Sequence, residues 1–192
     1  MRTNISRFFA LFTLIWTICL FTTGCTATWT GEAIQIINLL VPAITAALSI
    51  LTAFGQGVSP DVLAAVNKWS DEARVDLQNV AGLIDQYNNA EASAQPGILT
   101  EIQTALNVVE ANLSTLLPEI HVANATTQAK IMAVIEAVQS ELVALINLVP
   151  ALKGEVKSHK EVKALMAAVK SPEEFRDDFN SKAGEFGDQY RI

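Results

Sequence analysis

The chain has 192 residues, thirteen basic against twenty acidic side chains and a formal charge of −7. That is the length of one domain of ordinary size. The scarcity of Lys and Arg excludes nucleic acid as a partner, because phosphate binding is driven by cationic side chains, and argues against attachment to anionic lipid by charge alone. Hydrophobic residues make up 51 % of the chain and aromatics 7 %, with nine glycines. An apolar fraction dominated by Ala, Leu, Val and Ile favours helices over a sandwich or barrel.

Residues 1–24 have the pattern of a cleavable export signal. Arg2 and Arg7 form a positive start, and Phe8–Phe21 is an apolar run of 14 residues. Such a run is short for a hydrocarbon core about 30 Å thick. Thr22-Thr23-Gly24-Cys25 follows as small residues leading into a cysteine. Gly24-Cys25 resembles a bacterial lipobox, with Thr22 where that motif usually has Leu. The resemblance implies a lipid on Cys25, which would become the new N-terminus and the protein's membrane attachment. Removal of the signal leaves eleven basic against twenty acidic residues, a charge of −9, and Cys25 as the one remaining cysteine. A single cysteine forms no internal disulfide. By the usual sorting rule for such lipoproteins, Thr26 in place of Asp implies the outer membrane of a two-membrane cell, facing the periplasm.

Residues 25–31 are expected to be a short linker, 32–152 an antiparallel helical bundle and 153–192 a charged helical tail. Between Ala33 and Leu152 there are three basic residues against eleven acids, whereas from Lys153 to Ile192 eight bases balance eight acids. Pro60, Pro96, Pro118, Pro150 and Pro172 fall where apolar periodicity breaks and are expected to bracket helices.

Segment one, Glu32–Phe54, carries no charge after Glu32 and is apolar nearly all round. Within its core, Ile34 to Leu51, Gln35, Asn38, Thr45 and Ser49 are the polar exceptions, and Pro42 is expected to kink it. A helix of this kind is either the buried centre of a bundle or a membrane span. Its polar residues suit a bundle interior or edge better than lipid.

Segment two opens with Ser59-Pro60-Asp61, an N-cap, a proline at the first helical position and an acid in the first turn. Val62, Val66, Trp69, Ala73, Leu77, Val80, Ile84 and Tyr87 then recur at steps of three and four, and Asn88-Asn89 ends the pattern. Segment three carries Ile98, Ile102, Leu106, Val109, Leu113 and Leu116. Segment four starts near Asn124 and carries Ile131, Ile135, Val138, Leu142, Leu145 and Val149. One-sided stripes joined by short connections predict an all-α, up-and-down four-helix bundle.

The tail holds two further short helices. Val156, Val162, Leu165, Met166 and Val169 form a narrow stripe among lysines. Ser171-Pro172-Glu173-Glu174 is a capped start leading to Phe175, Phe179 and Phe186. Those phenylalanines form either a docking stripe for an envelope partner or a strip folded back on the bundle's own flank. The carboxyl end, Asp188 to Ile192, resembles that of the major murein lipoprotein but lacks its terminal lysine, so that function is not carried over.

No catalytic, cofactor or metal constellation stands out. His121 lies in a loop near Glu119, and His159 follows Glu155 by four residues, where the two share a face if helical. Neither has the Glu-x-x-His spacing of a metal-binding bundle. Asp71, Glu72, Asp76, Glu110, Glu136 and Glu141 fall mainly on predicted polar faces, with nothing to desolvate a pair for acid–base work. Gly55-Gln56-Gly57 is a turn, since no Gly-Lys-Ser/Thr follows. The expectation is a non-enzymatic envelope lipoprotein serving as a helical scaffold or protein-interaction module. A pore-former or holin-like protein using the uncharged stretch 33–60 is the alternative, and carriage of an apolar ligand in the core is a third reading.

Overall fold

Stripes of apolar residues at helical spacing should fold by burying those stripes against one another, and they do so here. The computed structural model of the chain describes residues 26–156 and 158–192. They form six α-helices with no strand among the described residues: α1 (Thr26–Phe54), α2 (Pro60–Asn89), α3 (Gln95–Leu116), α4 (Ala125–Leu152), α5 (His159–Ala168) and α6 (Pro172–Ala183). The fold is all-α. The expected export signal, residues 1–24, and the expected lipid site at Cys25 lie outside the described residues.

The helix starts are set locally. The Ser59 and Asn124 side chains accept from the backbone N–H groups of Val62 and Thr127, at 3.3 and 2.9 Å. At α6, Ser171 and Glu174 exchange side-chain-to-backbone bonds of 3.2 and 2.8 Å, a reciprocal cap. Pro60, Pro96 and Pro172 stand in the first turns of α2, α3 and α6, where a missing N–H costs little. Pro150 departs from the expected pattern, because α4 runs through it to Leu152. In the last turn, proline forfeits one backbone bond, and the helix then closes on Gly154, whose φ of 74° suits the left-handed exit.

Every residue of the predicted α2 stripe is buried except Val62, which is half-buried. The α3 stripe is buried from Ile102 to Leu113, and the six residues named for α4 are buried throughout. α1 packs on α2 and α4, and α3 also packs on α2 and α4. Contacts at the helix ends fix the directions. Trp29, near the start of α1, meets Tyr87 at the end of α2, edge to face with ring centres 5.8 Å apart. Lys153, just past α4, donates to Gln103 of α3 at 2.8 Å. At the opposite end, the Ala123 N–H donates to the Gln56 carbonyl, tying the α3–α4 connection to the α1–α2 turn. Gly57 allows that approach: its φ is 97°, and a Cβ there would stand 3.0 Å from the Ala123 nitrogen.

Two expectations about segment one change. The helix starts at Thr26, so residues 26–31 of the expected linker are helical. α1 is also not the centre of the molecule: Gln35, Asn38, Pro42, Thr45 and Ser49 line one exposed strip along it. The central helix is α4, which packs against α1, α3, α5 and α6 and buries residues on both flanks of its predicted stripe.

The tail is integrated into the body. α6 packs against α1 and α4, with Phe175, Phe179 and Ala183 fully buried. Burying a phenylalanine contributes about 1.5–3 kcal/mol relative to leaving it in water. Phe186 and Tyr190 continue the strip over Phe54, with ring centres 5.1 and 6.0 Å from it. The Asn180 side chain then grips the backbone of Ile192 through two bonds of 2.8 and 3.1 Å. α5 differs, because none of its described side chains is buried.

Candidate functional site

Helix α4 carries a second row of buried positions beside the predicted stripe: Val134, Ala137, Glu141, Ala144 and Leu148. Four are apolar, as a core position requires. The fifth is a glutamate only 1 % exposed. Its burial corrects the expectation that Glu141 sits on a polar face. The signal in the sequence was its spacing, three residues after Val138 and four before Leu145, within a helix whose neighbours extend beyond one stripe.

Glu141 faces the junction of α5 and α6. Its Oε1 accepts the backbone N–H of Lys170 at 3.2 Å. The Lys170 ammonium turns instead to Asp178 of α6, with Nζ 2.6 Å from Oδ2, and Lys182 pairs with the other oxygen of Asp178. Burial pushes the Glu141 carboxyl up to about 7, against the opposing pull of Lys170, with Asp178 and Glu174 adding to the rise. Asp178 is pushed up by burial but held below the ordinary carboxylate value by Lys170 and Lys182. The Ser171 backbone and hydroxyl hold Glu174 low. The cluster therefore joins one carboxyl that resists ionisation to two that favour it. The backbone N–H of Lys170 and its ammonium thus tie α4 and α6 together through two different carboxylates.

A second polar group lies between α3 and α4. Glu110 accepts from Ser114 at 2.5 Å and from Gln139 at 3.1 Å, and Gln139 also donates to the Ser114 hydroxyl at 2.8 Å. These half-buried groups satisfy one another and fix the register of the two helices.

The other residues singled out in the sequence are not brought together. Asp71, Glu72 and Glu136 are exposed, Asp76 is half-buried, and Glu119 and His121 are exposed in the α3–α4 connection. Glu155 precedes α5, so it shares no helix with His159. Among the described residues, no group of three or more His, Cys, Asp or Glu is placed to hold a metal ion.

Two cavities lined by described residues are small. One of ≈ 20 Å³ lies between Ile44, Leu51, Trp69, Leu113, Ile135 and Val138. Another of ≈ 50 Å³ lies beneath α5, between Trp29, Glu32, Leu145, Leu148, Met166 and Val169. Ligand pockets ordinarily run to about 300 Å³ or more, so these give no room to a lipid or a drug-sized molecule. Trp29 leaves its indole N–H buried without a partner.

Compared with known proteins, the chain matches no family model, no curated protein and no solved structure.

Proposed function

We propose that the chain is a non-enzymatic lipoprotein of the bacterial cell envelope. It is held at the membrane by a lipid on Cys25 and acts as a helical scaffold or protein-interaction module. In this reading α1 to α4 form an up-and-down four-helix bundle, with the tail as a fifth packed layer. The cyclic order of contacts, α1 on α2, α2 on α3, α3 on α4 and α4 on α1, supports that architecture.

The observation that carries the reading is the junction at Cys25. A positively charged start and an apolar run lead into Gly24-Cys25, and a packed helix with one polar strip begins at the next residue, Thr26. A lipid there would attach to the folded body without a spacer. With Thr26 after the cysteine, the destination is the outer membrane, facing the periplasm. The tail has spent Phe175 and Phe179 on its own core, so a partner would meet its outer charged face, where Glu173, Arg176 and Asp177 are exposed.

The test is to express the full chain and Cys25→Ser in a two-membrane bacterium, label with a palmitate analogue and wash the membranes with alkaline carbonate. The proposal predicts that the wild type is labelled and retained and that Cys25→Ser is unlabelled and released. An unlabelled wild type would overturn it.

The second reading is a membrane-inserting protein of the pore-forming or holin-like kind. It draws on Trp29–Phe54 of α1 and Ala125–Leu152 of α4, which are long and apolar enough to cross a membrane. The core helix of a water-soluble body passes the same criterion, and both helices bury much of their surface here. Retention of Cys25→Ser after the carbonate wash would favour this reading.

A further inference from the structure

We propose that Glu141 makes the seating of α6 on α4 responsive to pH, so that the C-terminal layer sits tightest in mild acid and loosens toward neutrality. The carboxyl is almost entirely removed from water at the α4–α6 interface, and its one hydrogen bond comes from the Lys170 backbone N–H, which belongs to the tail. The described ammonium that acts on Glu141, that of Lys170, is drawn to Asp178 at 2.6 Å. Among the described residues an ionised Glu141 therefore shares its one counterion with Asp178, whereas a neutral one needs none. Lifting α6 returns the carboxyl to water, where its charge is well solvated. Ionisation thus favours the lifted state.

The neighbouring charges leave this balance to a few groups. Lys170, Asp178 and Glu174, all at or on α6, are the charges among the described residues that act on Glu141. Among the described side chains of α1, Glu32 alone is charged, and it is exposed. From α3, Glu110 is taken by Ser114 and Gln139, and Gln139 lies about 200° around α4 from Glu141. On α5, Lys160, Glu161 and Lys163 are exposed. On α4 itself, Lys130 pairs with Glu185 and Glu136 is exposed.

The direction of the titration agrees. The folded carboxyl is held at about 7 against an ordinary 4.5. Seating is therefore strongest below the lower value and weakens through the interval up to the higher one, then levels off. The two values limit the loss to about 300-fold.

Hydrogen exchange of the full-length protein, corrected for intrinsic rates, tests this at about pH 5 and about pH 7.5, either side of most of that interval. The expected result is a loss of α6 protection of about tenfold or more in the wild type and little change in Glu141→Gln, which keeps an acceptor for Lys170. Equal wild-type protection at both pH values would overturn the proposal, as would the same loss in Glu141→Gln. So would α6 exchange at neutral pH with the full urea dependence of α2, since the loss would then belong to global unfolding. Should Glu141→Gln not fold, the carbon-13 shift of the Glu141 carboxyl in the wild type decides: a midpoint near 7 is expected, and an ordinary carboxylate midpoint overturns the proposal.

Discussion

The indole N–H of Trp69 on α2 donates to the backbone carbonyl of Val109 on α3 across 3.1 Å. The other described tryptophan with a buried indole, Trp29, has an N–H that meets nothing. Both residues are 7 % exposed, so they contrast a bonded with an unbonded indole at similar burial. Trp69→Phe should cost about 1–2 kcal/mol, from the lost bond and a slightly enlarged neighbouring cavity. Trp29→Phe should be neutral or stabilising, because it removes a donor that burial leaves unpaid. Urea denaturation of the two variants checks the contrast, and equal losses would refute it.

Proline at position 42 stands in the interior of α1, on the exposed strip. It withholds the N–H that would reach the Asn38 carbonyl, while its ring contributes little buried surface. Pro42→Ala should therefore raise stability by about 1–2 kcal/mol, the helix gain being partly offset by a freer unfolded chain. A lower melting temperature in the variant would show that the proline has a packing role that this reading misses.

Phe175 and Phe179 are fully buried, whereas Phe186 is half-buried. Alanine at either of the first two should cost about 3–5 kcal/mol, and at Phe186 distinctly less. If the tail were a loosely attached appendage, Phe175→Ala would leave the main urea transition unmoved and only expose the tail to protease.

Glu141 also predicts a pH dependence of global stability. A carboxyl raised to about 7 when folded and ordinary, near 4.5, when unfolded stabilises the fold below the lower value, and that contribution is lost as pH climbs to the higher one. Glu141→Gln should therefore be more stable than the wild type at neutral pH, by at most about 3 kcal/mol. Its advantage should shrink toward about pH 5. Asp178 works in the opposite sense: its depressed carboxyl contributes stability that is lost only as pH falls below its ordinary 3.8. Thermal melts across this range separate the two.

The helical order was legible in the sequence because period and punctuation agreed. In α2 the stripe from Val66 to Tyr87, the Ser59 cap and the Asn88-Asn89 end all stand where spacing put them. What was less legible is tertiary. A one-sided reading of α4 could not anticipate that α5 and α6 would cover its other flank, and so Glu141 was assigned to water. Composition alone suggested that α1 was the innermost helix. Its polar residues recur at Gln35, Asn38, Pro42, Thr45 and Ser49, steps of three and four, which is a surface strip narrow enough to miss in an uncharged helix. The tail's phenylalanines suit a strip folded back on the bundle better than a docking stripe, and Phe175 and Phe179 are indeed core while Phe186 is half-buried.

The central claim is that α1 is a surface-lining helix of a folded body. Cysteine scanning of α1 in membranes carrying the full-length protein, with a membrane-impermeant maleimide, tests it most directly. Cysteines at Gln35, Asn38, Thr45 and Ser49 should react, and those at Ile36, Leu40 and Ile50, which are 0 % exposed, should not. Uniform protection along all seven positions would contradict the account and place α1 in the bilayer.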